Sequence, residues 1–178
     1  MSEILVVDDE PGIREVLNQI LDDEGYDVRL AENGAQARVA LQKKTPALVL
    51  LDIWMPDLDG LSLLKEWVSA GPLPMPVIMM SGHGTIQQAV EATRLGAFDF
   101  LEKPVDDQRL IDTIFAAIAK DGENRRNAGS RAEAAQRLSR LTHREREIAR
   151  LIVEGDSSRE VAQKLNLSVR TVEGYRSR

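Results

Sequence analysis

Five polar side chains stand where apolar runs end, and their types could do chemistry together. Asp8 and Asp9 close the run Ile4-Leu5-Val6-Val7, Asp52 closes Leu48-Val49-Leu50-Leu51, Ser81 follows Val77–Met80, and Lys103 follows Phe98–Leu101. Carboxylates crowded at the end of a buried run are costly unless something positive sits among them. If the three meet, they form a hard-oxygen set suited to Mg²⁺ (or Mn²⁺). An ammonium and a hydroxyl facing them would complete the requirements for phosphoryl transfer to a carboxylate. Cations offset the charge on the transferring group, and donors hold its oxygens. Acidic residues are common at strand ends, so the reading rests on all three coinciding, not on any one.

Something must bring positions 8, 9, 52, 81 and 103 together. The first 120 residues alternate strand and helix patterns. Apolar, β-branched runs occur at Ile4–Val7, Val28–Leu30, Leu48–Ile53 and Val77–Met80, with a weaker one at Phe98–Leu101. Helical patterns lie between and after them, near 11–24, 33–43, 60–69, 85–95 and 106–119. Pro11 suits a first helical turn, and Asn33 and Asp106 suit N-caps. Strands that are apolar without alternation are buried on both faces, hence parallel. Five strand–helix repeats predict an α/β fold, a five-stranded doubly wound parallel sheet flanked by helices. In the common order 2-1-3-4-5, strands one and three are neighbours, and their C-terminal ends form the ligand crevice.

Cysteine is absent, which excludes disulfides and thiolate metal sites. No apolar stretch approaches the ~18 residues of a membrane span, and no secretory pattern is visible, so a cytoplasmic location without membrane contact is expected. The net charge of -6 is unevenly spread. Residues 1–120 hold 20 acids and 10 bases, residues 121–138 hold 3 and 4, and residues 139–178 hold 6 and 9. An acidic front and a basic tail suit two jobs, the second being contact with a polyanion. Residues 121–138 are polar and Gly-punctuated, then Ala/Arg/Glu-rich, and are expected to be a linker, part loop and part helix.

Residues 139–178 show only helix patterns and predict a small all-α domain. Thr142–Glu145 and Ser157–Glu160 are capping boxes, Gly155 ends the first helix, and Ser168 caps a third from Val169 onward. Two short helices joined at Asn166-Leu167 make a helix-turn-helix. Val161, Ala162, Leu165, Leu167 and Val172 have core spacing.

The motifs Val7-Asp8-Asp9-Glu10, Leu51–Gly60 (LDIWMPDLDG), Met80–Gly84 (MSGHG) and Gly96–Pro104 (GAFDFLEKP) occur in order. With them, residues 1–120 resemble the receiver domain of two-component response regulators. The resemblance implies that Asp52 accepts a phosphoryl group from a sensor histidine kinase. It implies Mg²⁺ held by Asp8, Asp9, Asp52 and the backbone carbonyl of Trp54, with Ser81 and Lys103 on the phosphoryl group and a cis peptide before Pro104. Phe100 takes the switch-aromatic position, where many members have Tyr; it can swing sterically but has no hydroxyl to donate. The consequence would be a homodimer formed on phosphorylation through the face of residues 85–119, or release of the tail from an inhibited docking on it. His83 either tunes dephosphorylation or covers the pocket, and Trp54 either shields the phosphoryl group or packs its loop. Asp57 and Asp59 read as loop and cap residues, and Met55, Met75, Met79 and Met80 as packing.

Leu141–Ile148 through Arg170–Arg178 is similar to the LuxR-type helix-turn-helix of the FixJ-like and NarL-like branch. That implies promoter DNA as a partner, met by Lys164, Arg170, Thr171, Glu173, Gly174, Tyr175, Arg176 and Ser177. Gly174 costs about 1 kcal/mol inside a helix and would let the backbone approach DNA. Family members run further, with a longer recognition helix and a fourth helix, so the tail is expected to be incomplete. The whole reads as a phosphorylation-activated transcription regulator, self-phosphorylating from a phosphodonor and not a multiple-turnover enzyme. The alternatives are a phosphoryl-relay or partner-binding receiver without effective DNA binding, and an Mg²⁺-dependent phosphatase with an aspartyl nucleophile.

Overall fold

A computed structural model describes residues 2–176. It divides into two compact units, residues 1–124 and 125–178, each described by itself.

In the first unit, β1 (Glu3–Val7), β2 (Asp27–Ala31), β3 (Leu48–Asp52), β4 (Val77–Ser81) and β5 (Asp99–Glu102) form one sheet in the order β2-β1-β3-β4-β5. All four pairings are parallel. The crossovers are α1 (Pro11–Asp23), α2 (Gly34–Lys43), α3 (Gly60–Ser69) and α4 (Ile86–Leu95), and α5 (Asp107–Ser139) follows β5. Successive strand residues point to opposite faces, and each face has its own core. Leu5, Val7, Val49, Leu51, Val77 and Met79 pack with side chains of α2, α3 and α4. Ile4, Val6, Leu48, Leu50, Ile78 and Met80 pack with Leu17 and Leu21 of α1 and Leu110 and Ile114 of α5. Burial on both faces explains why these strands read as continuous apolar runs.

Local signals set the helix starts. Pro11 is at the first position of α1, Asn33 Oδ1 accepts from Gln36 N at 2.8 Å, and Asp106 Oδ1 accepts from Arg109 N at 2.9 Å. The fifth strand lies one residue later than its apolar run, and Lys103 N continues the ladder by donating to Ser81 O at 2.8 Å. The larger difference is at residues 121–138. The expected loop is absent, and α5 runs unbroken for 33 residues with Gly122 and Gly129 inside it. Each glycine costs about 1 kcal/mol relative to Ala. The surrounding Ala, Arg, Glu and Gln are strong helix formers, and Lys120 pairs with Glu123 one turn on at 3.2 Å.

The second unit holds α6 (His143–Val153), α7 (Ser158–Leu165) and α8 (Val169–Arg176). Both capping boxes form, Thr142 with Glu145 and Ser157 with Glu160. Asn166 takes a left-handed conformation (φ 52°) to turn between α7 and α8. Ile148, Val161, Ala162 and Val172 are the buried core. No helix among the described residues is long and apolar enough to cross a membrane.

Candidate functional site

The sheet order places the ends of β1 and β3 side by side, with Val7 opposite Leu51. The next residues, Asp8 and Asp52, therefore meet at the crevice. Carboxylate oxygens of Asp8, Asp9 and Asp52 lie within 4.8 Å of one another. Asp8 is fully buried and Asp52 is 2% exposed, while Asp9 faces solvent. Lys103 reaches across from β5: its Nζ donates to Asp8 Oδ2 at 2.6 Å and lies 3.0 Å from Asp52 Oδ1. That second contact is not aligned as a hydrogen bond, so Asp52 Oδ1 is buried with no donor. Three carboxylates and one ammonium leave two negative charges uncompensated, as a divalent cation would require. Hard oxygen donors and an orphaned buried oxygen fit Mg²⁺. Burial pushes the Asp52 carboxyl up, Lys103 pulls it partly back, and Asp8 and Asp9 add to the rise, to about 6. Burial works against the charged Lys103, but its contacts with Asp8 and Asp52 outweigh that and raise it.

Ser81 is buried beside this cluster, and its Oγ accepts from His83 N at 3.2 Å. The Lys103–Pro104 peptide is cis. Phe100 is half-buried against the core. Trp54 is 55% exposed and so gives most of its surface to solvent. Asp59 caps α3, accepting from Ser62 N at 2.9 Å. Asp57 caps a different helix, accepting from Gly34 N and Ala35 N of α2 at 3.2 Å each. Slight burial acts to raise the Asp57 carboxyl, but those backbone donors outweigh it and hold it below its ordinary range.

In the helical unit, Arg170, Thr171, Glu173 and Gly174 of α8 are exposed. Ser168 Oγ accepts from Thr171 N at 3.0 Å and starts that helix. Two expected DNA contacts are engaged within the unit: Lys164 Nζ pairs with Asp156 at 2.7 Å, and Arg176 donates to Ser158 Oγ at 2.9 Å. Tyr175 is half-buried against the unit's core. Ser177 lies outside the described residues.

Residues 4–115 match the response regulator receiver domain, and residues 139–178 match the bacterial regulatory proteins of the luxR family. The transcriptional regulatory protein FixJ of Bradyrhizobium diazoefficiens is 37% identical over 176 residues, covering 99% of this chain and 85% of the relative. TdiR of Thauera aromatica is 36% identical over 177 residues, covering 99% and 78%. Among solved structures, full-length FixJ from B. japonicum aligns at a TM-score of 0.68 with 36% identity, covering 99% of this chain and 86% of that one. The response regulator StyR aligns at 0.77 with 26% identity, covering 99% and 89%. This chain is a response regulator. It is a phosphorylation-dependent, DNA-binding transcriptional regulator of a two-component system, with a histidine kinase and DNA as partners. It is a transcription factor and not a multiple-turnover enzyme, which removes the phosphatase alternative.

Three residues of the response regulator's pocket carried no sequence signal of their own. Arg14, one turn into α1, donates to the Asp8 backbone carbonyl at 2.6 Å and so fixes the loop bearing Asp8 and Asp9. At Gly60 a Cβ would strike the backbone carbonyl of Asp52, so only glycine lets α3 start so close to β3. At Gly84 a Cβ would lie 2.7 Å from Phe100 Cε1, which makes this glycine the seat of the aromatic ring. Gly60 and Gly84 stand inside receiver motifs, but the groups they make room for come from distant sequence.

Proposed function

We propose that Asp52 is the phosphoacceptor of this response regulator and that Asp8, Asp9, Asp52 and the Trp54 carbonyl hold Mg²⁺ (or Mn²⁺). The observation that carries this is Asp52 Oδ1, buried, without a donor, and 3.0 Å from an ammonium. A carboxylate oxygen of Asp52 attacks the phosphorus of a kinase phosphohistidine. The new O–P bond forms as the P–N bond breaks, and histidine leaves. A bound Mg²⁺ supplies charge neutralisation at the phosphoryl oxygens. Lys103 directs a free N–H toward them, and Ser81 donates its hydroxyl proton while its oxygen still accepts from His83 N.

Phosphorylation adds roughly -1.5 to -2 charge at the pocket. Phe100, packed on the loop that follows Ser81, transmits the shift sterically to the 85–119 face. That face carries exposed Ile86, Val90 and Phe115, apolar surface that supports a homodimer formed on phosphorylation. We take residues 1–120 as the receiver, 121–138 as a helical linker and 139–178 as the DNA-binding domain, in the cytoplasm with its DNA. Arg170, Thr171, Glu173 and Gly174 meet DNA from α8, with Lys164, Tyr175, Arg176 and Ser177 as further contacts. Lys164 and Arg176 exchange their partners within the unit, Asp156 and Ser158, for phosphate on binding.

The test is labelling from a small-molecule phosphodonor. Wild type should take up phosphoryl only with Mg²⁺, and Asp52→Asn should take up none. Equal Mg²⁺-dependent labelling of the variant refutes the assignment. Fluorescence anisotropy with promoter DNA at stated salt tests the α8 contacts, and unchanged affinity in Arg170→Ala and Glu173→Ala variants refutes them.

A further inference from the structure

We propose that Asp57 is a positioning residue for the cation site: locked onto the N-terminus of α2, it fixes the loop that presents the Trp54 backbone carbonyl. The inference rests on the reading of the pocket as a cation site.

The loop of residues 53–59 is pinned at both ends. Ile53 N donates to Met80 O at 2.9 Å, and Gly60 N returns to Ile53 O at 2.8 Å. Asp59 is committed to the start of α3. Only Trp54, Met55 and Pro56 lie between the Ile53 staple and Asp57. Pro56 fixes its own φ, and Met55 is held against the core. The Trp54 carbonyl is therefore held between two anchors, the Ile53 staple before it and Asp57 after it. The second anchor is a carboxylate using both oxygens, Oδ1 from Gly34 N and Oδ2 from Ala35 N. It sits at the positive end of the α2 dipole, where an anion is favoured. Gly34 makes the approach possible, since a Cβ there would lie 3.3 Å from Asp57 Oδ2.

A plain helix cap would account for the same two bonds, so the decisive comparison is with the other cap of α2. Asn33 serves that helix at Gln36 N, a bond within its own turn. If Asp57 acted only through α2, losing either cap would have the same effect. If Asp57 positions the carbonyl, only its loss reaches the cation.

The experiment is a Mn²⁺ titration of the full chain, following the electron paramagnetic resonance of the free ion. The chains are wild type, Asp57→Ala, Asp57→Asn and Asn33→Ala, each with a thermal melt in EDTA. Asp57→Ala should weaken Mn²⁺ binding about tenfold, within the range seen when a group that orients a ligand is lost. Asp57→Asn, which keeps one acceptor oxygen, should fall between and serves if Asp57→Ala does not fold. Asn33→Ala should melt earlier yet bind Mn²⁺ within about twofold of wild type, because its bond lies outside the loop. Wild-type affinity in both Asp57 variants overturns the proposal, as does an equal loss in Asn33→Ala. A wild type that binds no Mn²⁺ refutes the cation reading itself, a different result from a binding wild type with indifferent variants.

Discussion

Asp52→Asn should make the metal-free protein more stable at neutral pH while abolishing its phosphorylation. In the folded chain the Asp52 carboxyl titrates near 6 instead of its ordinary 3.8, chiefly through burial. Each tenfold in a proton equilibrium is worth about 1.4 kcal/mol. Taken at face value, the ionised form is therefore disfavoured by folding by about 3 kcal/mol. Water and the solvent-facing Asp9 side screen part of this, so about 1–2 kcal/mol is the expected gain on neutralising the side chain. The sign runs against the usual carboxylate case. Between about pH 4 and 6 the folded chain holds a proton that the unfolded chain has lost. This group's stabilisation therefore declines as pH rises through that interval and is gone above about 6. Urea denaturation in EDTA at about pH 5 and about pH 7.5, on either side of the folded-state value, measures it. Wild type should lose stability between the two relative to Asp52→Asn, and the variant should be the more stable at the higher pH. Added Mg²⁺ should reverse the order by stabilising wild type. A variant equal to or weaker than wild type at the higher pH in EDTA would refute the view that the buried carboxylate is held at a cost in free energy.

Gly84→Ala should destabilise the receiver by about 1–3 kcal/mol by overpacking against Phe100. In a double-mutant cycle measured by denaturation, Phe100→Leu should relieve most of that loss. Asp59→Ala should cost about 1 kcal/mol through the lost α3 cap. The Asp59 carboxyl is slightly raised by burial but held low overall by its bonds to Ser62 and neighbouring backbone. Its stabilisation is therefore present above about pH 4 and lost as pH falls further, so thermal melts of wild type and variant should converge in acid. Arg170→Ala should weaken DNA binding and flatten the salt dependence of log K by about one if it meets a phosphate. A salt titration by anisotropy checks this, and an unchanged slope removes Arg170 from the phosphate contacts.

The parts legible in the sequence share one physical cause. Ile4–Val7 and Leu48–Leu51 announced themselves because parallel strands are apolar on both faces, and the residue after such a run must stand at the sheet's C-terminal edge. Asp8, Asp52, Ser81 and Lys103 could therefore be placed together from strand ends alone. Asn33, Thr142, Ser157 and Ser168 were legible because a cap is a bond to a neighbour three residues on. Residues 121–138 misled because two glycines outweighed the helix formers around them. Arg14, Gly60 and Gly84 stayed hidden because their roles are set by groups from other elements. Asp57 was legible as a cap-forming type, but not its helix, since α2 begins more than twenty residues earlier.

The charge arrangement at the pocket also bears on how phosphorylation is transmitted. Lys103 Nζ makes its aligned bond to Asp8 and meets Asp52 Oδ1 by charge contact. An ammonium carries three donor protons, so on the proposed reading Lys103 can keep Asp8 while a second N–H meets a phosphoryl group on Asp52. A divalent cation held by Asp8, Asp9 and Asp52 would supply the positive charge that one ammonium does not. The Ser81 oxygen accepts from His83 N, and its own proton is left to donate to an acceptor in the crevice. The loop that follows Ser81 carries Gly84, on which Phe100 rests. On the proposed reading, transmission to the 85–119 face needs no hydroxyl on the aromatic ring, because a shift of the Gly84 backbone moves the Phe100 ring that rests on it.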